Sequence, residues 1–332
     1  MKYVQLIGTQ RSGSNLFRLM VDQLDEIIAP HPPHILSTFF PILNKYGNLE
    51  KNKNVDRLIS DVIEWVKSNP IKWNKFSVSS EDIKSKFKNP SIIQIFKAIY
   101  ELYATQSNSM IWICKSLSNS NYYYKLEKEG LNPIYVYLYR DGRDVALSFK
   151  NTIIGPKHTY FIADQWLKDQ IMCDRIKKQI PPSRFISIKY EDLLSNPHKV
   201  ISDFCNKINV GYDKKVLNYY KSKESIIAAS SGEMWSNLSK PLLINNKSKY
   251  IKGLNLNDKV IFESIAGSML KKLNYKLYCK VKELISNFKS SKIDEFRKVD
   301  NQLRALVLDN ANPRDLKLRI PHKKLLKKIT NY

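Results

Sequence analysis

The chain has 332 residues, of which 43% are hydrophobic, and this is enough apolar material for a large core. One α/β domain with an appendage and two separate domains both fit this length. The net charge of +24 predicts a field that attracts anions such as nucleotides, nucleic acid, acidic glycans or lipid headgroups. Solvated surface lysines explain part of the same charge, so charge alone does not select a partner.

The cysteines and histidines argue against a disulfide framework and a metal knuckle. The four cysteines lie far apart, form no CxxC pair and are expected to be buried thiols: Cys114, Cys173, Cys205 and Cys279. The five histidines lack HExxH spacing, so no metal site is predicted. Because we find neither a secretory signal nor an apolar run of about twenty residues, the expected location is the cytoplasm.

The predicted elements alternate between buried strands and helices along the chain. A strand at 3–7 is followed by a helix whose apolar positions run from Leu16 to Leu24, and the prolines of 30–34 are expected to end this helix. Residues 50–107 are expected to be mostly helical. Further strands are predicted at 110–114, 134–139 and 185–190, and further helices at 122–129, 145–149 and 161–178. This alternation predicts an α/β fold with a parallel sheet covered on both faces.

The composition changes after Leu277, where basic and apolar residues begin to alternate. We therefore predict a main domain at 1–279 and a basic helical extension at 280–332. The favoured interpretation is a helix that docks on the core or on a neighbouring copy of the chain. The alternative is a basic amphipathic helix that rests on an anionic membrane.

The segment "TQRSGSNLF" at 9–17 connects the first strand to the first helix. Glycine allows the backbone to turn tightly and to approach a ligand closely, and a helix N-terminus attracts anions. The loop also supplies a guanidinium, at Arg11, and several polar donors. A nucleotide triphosphate loop, GxxxxGK(S/T), would place Lys at position 14, where this chain has Ser14. The segment predicts a phosphate-binding loop of another type, and a tight turn without a ligand stays open on this evidence alone.

A second segment, "YRDGRDVALSF" at 139–149, follows the strongest predicted strand. Arg140 lies at the strand end, and Ser148 follows inside the next helix. A guanidinium and a hydroxyl placed in this way hold one phosphate, the first by two hydrogen bonds. Two anion sites at neighbouring strand ends predict a nucleotide with two separate phosphates.

These segments resemble those of the sulfotransferases that use 3′-phosphoadenosine-5′-phosphosulfate (PAPS). "RSGSN" resembles their 5′-phosphosulfate loop, and "YRDGRDVALS" resembles their 3′-phosphate block. "YEDLLSNP" at 190–197 resembles the block whose tyrosine contacts the adenine region, and 240–253 resembles the segment that covers the nucleotide. The resemblance covers roughly residues 1–278, and the layout is similar to that of tyrosylprotein sulfotransferases and many bacterial relatives.

The resemblance implies a P-loop-like parallel β-sheet flanked by helices, and transfer of a sulfuryl group from PAPS to a hydroxyl. The product is adenosine 3′,5′-bisphosphate, and no metal is required. The acceptor is a glycan, lipid or peptide, with much of its side formed by 35–107, and nucleic acid is not expected as a partner. The implied nucleotide-binding residues are Gln10, Arg11, Ser12, Gly13, Ser14, Asn15, Arg140, Ser148, Tyr190, Ser236 and Lys249, with Lys247 beside them.

The resemblance also implies catalytic groups. Arg11 and Lys115, the latter near the end of the family's middle strand, would stabilise the charge that develops on the leaving nucleotide. The tyrosylprotein enzymes have a glutamate base after the first helix, where this chain has "APHPPHIL". His31 or His34 is expected in that role, because neutral imidazole is a base near pH 7. Asp25 and Glu26 are reserve candidates.

Two other functions stay open on the sequence. One is a magnesium-dependent nucleotide kinase, which the absence of Lys at position 14 disfavours. The other is a non-enzymatic protein that binds polyanions, which rests on charge alone.

Overall fold

A computed structural model describes residues 1–331 of the chain. Over that range the strands form a five-stranded sheet with the spatial order β2-β3-β1-β4-β5, and every neighbouring pair is parallel. The strands are β1 (Lys2–Ile7), β2 (Ile27–Ile28), β3 (Ile111–Cys114), β4 (Ile134–Tyr139) and β5 (Phe185–Lys189).

Helices connect the strands and cover both faces of the sheet. The α-helices are α1 (Ser14–Val21), α2 (Ile35–Phe39), α3 (Asn52–Lys67), α4 (Ser80–Lys84), α5 (Ile92–Gln106), α6 (Tyr123–Lys128), α7 (Gly142–Lys150), α8 (Thr159–Gln179), α9 (Tyr190–Ser195), α10 (Pro197–Ile208), α11 (Lys223–Ser230), α12 (Tyr250–Gly253), α13 (Leu256–Lys272), α14 (Ser290–Asp309), α15 (Pro313–Lys317) and α16 (Ile320–Thr330). Short 3-10 helices lie at Phe40–Tyr46, Leu117–Tyr122, Pro182–Arg184, Lys214–Lys221, Glu233–Ser239 and Val281–Glu283. No helix among the described residues is long and apolar enough to cross a membrane.

Side chains of the central strands alternate between two hydrophobic clusters, as the pleat of a strand requires. Val4 and Leu6 of β1 pack in a cluster with Phe17 of α1 and Phe204 of α10. Side chains on the opposite face of the sheet pack against α5 and α8, as Tyr137 does beside Cys173 and Ile176. The α/β class and the parallel sheet with helices on both faces are therefore confirmed.

The structure corrects several details of the predicted elements. Helix α1 ends at Val21, well before the prolines, and Leu24 lies in a buried turn that leads into β2. Strand β2 has two residues, too few for a period to show in the sequence. Strand β3, which precedes Lys115, lies beside the central strand β1 and is not itself central. All four cysteines are buried free thiols, as expected.

The C-terminal segment, residues 280–331, docks on the rest of the chain. Leu325 and Ile329 of α16 are buried in the same hydrophobic cluster as α3. The side chain of Asp300 in α14 accepts hydrogen bonds from the backbone N–H groups of Lys157 and His158, at 2.6 and 2.7 Å. This agrees with the favoured interpretation of a docked helix. The boundary at 279/280 stays a prediction, and Tyr332 lies outside the described residues.

Candidate active site

The loop between β1 and α1 is shaped by two glycines and one left-handed arginine. Gly8 has φ +130°, and a Cβ there would lie 2.3 Å from the backbone oxygen of Leu138 in β4. Gly13 is the N-cap of α1 with φ +88°, and Arg11 also has a positive φ of 71°. The first N–H groups of α1 have no partner within the helix and are available to an anion. The loop is therefore a tight turn into the N-terminus of α1, and phosphate binding by it stays a prediction.

Arg11 connects the loop to the second predicted anion site. Its Nε donates to the hydroxyl of Ser148 at 3.0 Å, and one of its terminal nitrogens donates to the carbonyl of Met234 at 3.2 Å. Arg140 donates to the carbonyl of Arg11 at 3.1 Å and to the carbonyl of Asn246 at 3.0 Å. Residues from β1–α1, β4–α7 and the segment after Ser239 thus meet at the carboxyl end of the sheet, where parallel sheets bind ligands.

Tyr190 closes the site over the loop. A Cβ on Gly13 would lie 2.3 Å from the ring of Tyr190, so only glycine fits beneath it. The Arg140 guanidinium lies 4.5 Å from the centre of the same ring, and Asn246 donates to the Tyr190 hydroxyl at 2.8 Å. The tyrosine is 4% exposed. The residue directly after β5 therefore places its ring over the loop and beside Arg140.

The site carries an excess of positive charge. Burial, together with repulsion from Arg140, lowers the pKa of the Arg11 guanidinium to about 10. Among the described residues, the acidic side chain that forms an ion pair with Arg140 is Asp144, at 3.5 Å and fully buried. The Nε of Arg140 and the hydroxyl of Ser12 are buried and have no hydrogen-bond partner within residues 1–331. Unpaired donors and like charges held together are what an anion site requires.

Lys115 lies directly after β3 and faces the same cavity. Burial lowers the pKa of its ammonium group to about 7, and Arg18 and Arg11 add repulsion. Gln5, fully buried in β1, positions the turn because its amide donates to the carbonyls of Cys114 and Ser116, both at 3.1 Å. The sequence analysis named Lys115 as a candidate site residue but did not name Gln5. A glutamine within an apolar strand is a sign of a buried hydrogen bond and could have indicated it.

The proline-rich loop 30–34 is held rigidly against the cavity. The carbonyl groups of His31, Pro32 and Pro33 accept hydrogen bonds from Trp73, Asn69 and Trp65, at 2.7, 3.2 and 2.6 Å respectively. Buried Arg18 donates to the carbonyl of Ala29 at 2.7 Å and pairs with Glu224. Both predicted histidines, His31 and His34, therefore have fixed positions, and both line the cavity.

The two histidines differ in their surroundings. Burial, with repulsion from Arg18 and Lys115, lowers the pKa of His31 well below its usual range. Burial and Lys115 lower the pKa of His34 to about 3. The Nδ1 atom of His31 is buried and has no hydrogen-bond partner in the described residues, and its ring meets that of Trp235 edge-on at 5.4 Å. Both imidazoles are thus neutral at pH 7.

Asp169 in α8 is a candidate that sequence reasoning missed. It lines the cavity, and burial raises the pKa of its carboxyl group to about 7, while hydrogen bonds from Thr9 and Gln165 oppose the shift. It lies next to the inward positions Trp166 and Gln170 of the helix. The sequence signal that could have indicated Asp169 was a carboxyl group next to the apolar, buried face of a helix.

The cavity has a volume of about 460 Å³ and is lined from both the phosphate loop and the proline-rich loop. A family model described as "Sulfotransferase family" matches residues 4–214. The chain belongs to the sulfotransferase family. No curated protein matches it significantly by sequence. Membership supports sulfuryl transfer as the general reaction of this chain.

Two solved sulfotransferase domains are similar in fold. One, from the olefin synthase of Synechococcus PCC 7002, is 20% identical with a TM-score of 0.50, and the match covers 80% of this chain and 94% of that one. The other, from the curacin biosynthetic pathway, is 20% identical with a TM-score of 0.56, covering 83% of this chain and 98% of that one. At this identity the likeness shows the sulfotransferase fold.

The remaining predicted residues of this sulfotransferase divide into two groups. Gln10, Gly13, Ser14 and Asn15 line the cavity with Arg11, Arg140 and Tyr190, whereas Ser12 and Ser148 are not among its lining residues. Ser236 and Lys249 are exposed, Lys247 is half-buried, and none of the three lines the cavity. Lys247 donates instead to Ser195 at 2.6 Å. Asp25 and Glu26 are exposed in the turn after α1, away from the cavity lining. Trp166 is buried in the core.

Metal ligands do not cluster within residues 1–331, where no group of three or more His, Cys, Asp or Glu side chains is placed to hold an ion. The expectation of a metal-free reaction stays a prediction.

Proposed function

We propose that this sulfotransferase transfers the sulfuryl group of PAPS to the hydroxyl of an acceptor. The observation that carries the proposal is the link between the two anion sites. Arg11 donates to Ser148 and Arg140 donates to the carbonyl of Arg11, so two phosphate-binding segments share one cavity. A nucleotide with phosphates at its 3′ and 5′ positions fits two adjoining cationic sites better than a triphosphate on one loop does.

The residues of the cavity offer partners for both ends of such a nucleotide. The backbone of the loop at Gly13 and the N-terminus of α1 would hold the 5′ end, and Arg140 with Ser148 would hold the 3′-phosphate. Tyr190, Leu194 and Tyr219 line the cavity on the side of Arg140 and offer apolar surface for the adenine. PAPS supplies an activated sulfuryl group, which leaves behind a phosphate oxygen that gains negative charge.

Arg11 and Lys115 are the groups that would stabilise this charge. They approach the cavity from the ends of β1 and β3, which are hydrogen-bonded neighbours. Their mutual repulsion contributes to the lowered pKa of Lys115. Cations that are fixed in place before the reaction do not have to reorganise when charge develops on the leaving oxygen. This electrostatic stabilisation of the transition state is the larger part of catalysis of group transfer.

His31 is the base that we favour for the acceptor hydroxyl. Its imidazole is neutral, its Nδ1 has no hydrogen-bond partner among the described residues, and its backbone is fixed by Trp73. In the reaction the acceptor oxygen would bond to sulfur as the bond between sulfur and the phosphate oxygen of PAPS breaks, so that adenosine 3′,5′-bisphosphate leaves and the acceptor proton moves to Nδ1. Asp169 is the alternative base, because its carboxyl group has a pKa near neutrality and faces the same cavity.

The test of nucleotide type is thermal stabilisation without an acceptor. Adenosine 3′,5′-bisphosphate without magnesium is compared with ATP and magnesium. At a ligand concentration of about one hundred times Kd the stabilisation should be roughly 2.7 kcal/mol. Ser148→Ala removes one hydroxyl from the site and is expected to weaken bisphosphate binding about tenfold. Ser85→Ala, which alters an exposed serine in α4's C-cap, is the matched control.

Stabilisation by the bisphosphate alone, weakened in Ser148→Ala and unchanged in Ser85→Ala, supports the proposal. Stabilisation by ATP with magnesium but not by the bisphosphate would show a kinase-like site instead. Transfer is then measured with ³⁵S-labelled PAPS and a panel of hydroxyl compounds.

A further inference from the structure

The guanidinium of Arg18 in α1 is fully buried and contacts two segments beside the helix. Its Nη1 donates to the carbonyl of Ala29 at 2.7 Å and to the carboxylate of Glu224, with which it forms an ion pair. Arg18 itself does not line the cavity within residues 1–331. A buried ion pair adds little net stability over apolar residues of similar size, so stability alone does not account for this one.

Ala29 lies two residues before His31, the base that we favour, and the chain between them has little freedom. Proline fixes its own φ and restricts the residue that precedes it. Pro30 and Pro32 stand on either side of His31, so Ala29 and His31 each precede a proline. The N–H of Ala29 donates to the side chain of Asp22, the C-cap of α1, at 2.6 Å. Both backbone polar groups of Ala29 are therefore held by α1 and its cap, and this anchor fixes the start of the loop that carries the imidazole.

The ion pair extends the same anchor to another neighbour of the His31 ring. Glu224 lies in the first turn of α11, and α11 packs on the 3-10 helix Glu233–Ser239. Trp235 of that 3-10 helix meets the His31 ring edge-on, at 5.4 Å between ring centres. Arg18 thus joins three parts of the structure: the helix after the phosphate loop, the loop that carries the candidate base, and the segment whose indole contacts that base.

We propose that Arg18 is a positioning residue for the catalytic base, and that its contacts hold the imidazole of His31 where the acceptor hydroxyl can reach it. This inference rests on the proposed function, in which His31 takes the acceptor proton. Because Arg18 belongs to the helix that follows the phosphate loop, its contacts set the position of the base relative to the donor nucleotide. A displacement of about 1 Å in such an arrangement costs about 100-fold in rate.

The test compares three variants of the full-length protein with wild type. Arg18→Met removes the guanidinium, and Arg18→Met/Glu224→Gln also removes the charge that would be left without its partner. Arg297→Met is the matched control, because it breaks an exposed ion pair in α14, with Asp294 at 2.7 Å. The melting temperature, the bisphosphate affinity and the kcat with ³⁵S-labelled PAPS and an acceptor from the panel are measured. The NMR signal of the His31 ring, assigned from its absence in His31→Gln, is measured as well.

Arg18→Met should shift the NMR signal of the His31 ring, because the loop and the contact with Trp235 lose their anchor. It should lower kcat about 10- to 100-fold and leave bisphosphate affinity as in wild type, since Arg18 does not line the described cavity. The double variant should regain the melting temperature of wild type but not its kcat, because no charge is left unpaired while the anchor is still missing. Arg297→Met should match wild type in every measurement.

An unchanged His31 signal in Arg18→Met, or a kcat equal to that of wild type, would overturn the proposal. Recovery of kcat together with the melting temperature in the double variant would overturn it too, because Arg18 would then have a structural role alone. Failure of wild type to bind the bisphosphate would instead contradict the proposed function. The NMR comparison needs no acceptor, so it decides in every case whether Arg18 holds the ring of His31.

Discussion

Replacement of Arg140 by glutamine should affect stability and nucleotide binding through separate contacts. The guanidinium lies 3.5 Å from the fully buried carboxylate of Asp144, which also accepts a hydrogen bond from the backbone of Tyr250 at 2.8 Å. Breaking a buried ion pair by removing one partner costs about 3–5 kcal/mol. Because Tyr250 still supports Asp144, we expect the lower end, about 3 kcal/mol near neutral pH.

The sign of the pH dependence follows from Asp144. Burial already raises the pKa of its carboxyl group, with Arg140 opposing that shift. Loss of Arg140 raises the pKa further, and a protonated carboxyl needs no cation. The stability lost in Arg140→Gln should therefore shrink as the pH falls. Urea unfolding over a pH series measures it.

The double variant Arg140→Gln/Asp144→Asn separates the two roles. It should recover most of the stability, because the amide still accepts from Tyr250 and carries no charge. Bisphosphate affinity is measured by titration calorimetry. It should stay at least about 100-fold below wild type in Arg140→Gln and in the double variant, because both lack the guanidinium of Arg140. Normal affinity in the double variant would refute our assignment of Arg140 to the nucleotide and leave it a purely structural partner of Asp144.

Two further predictions concern the loop and the lysine. Gly13→Ala should weaken bisphosphate binding and lower the melting temperature. The left-handed φ costs about 1 kcal/mol for alanine, and the alanine Cβ would meet the Tyr190 ring. Unchanged binding and melting temperature in a thermal shift assay would contradict this geometry. Lys115 has a pKa of about 7 in the free protein, so bisphosphate affinity should fall as the pH rises above 7, where binding must take up a proton. The number of protons taken up on bisphosphate binding is measured by calorimetry in buffers of different ionisation enthalpy. Lys115→Arg should show no such proton uptake. Proton uptake equal to that of wild type would exclude Lys115 as its source.

The helices and strands whose apolar residues recur at a clear helical or strand spacing could be predicted from the sequence. β1, β3, β4 and β5 are short apolar runs next to helices, and both segments that carry the anion sites follow such strands directly. The positions of Arg11 and Arg140 after strand ends could be predicted because they depend on the local sequence alone, and the roles of the two residues stay predictions. The early end of α1 was not predictable, since the apolar residue Leu24 continues the helical spacing while serving as core in a turn.

Residues that act across long sequence distances were harder to predict. Gln5 acts on the turn at Lys115 through backbone carbonyls, and Asp169 enters the cavity from the middle of a helix. His322 reaches the site only because α16 packs on α3, which no local pattern indicates. Such contacts depend on tertiary packing. In a single sequence the available sign of them is an isolated polar residue near an apolar face.

The chain positions that line the cavity extend from Thr9 to His322, and this order matters when the protein is made. The residues of the proposed nucleotide site end at Asn246, while Arg319 and His322, which line the same cavity, are synthesised last. Chains fold in the direction of synthesis, and contacts between distant positions form slowly. A nascent chain therefore forms the proposed nucleotide site before the C-terminal part of the cavity wall, and a sulfotransferase shortened before Arg319 would lack that part of the wall.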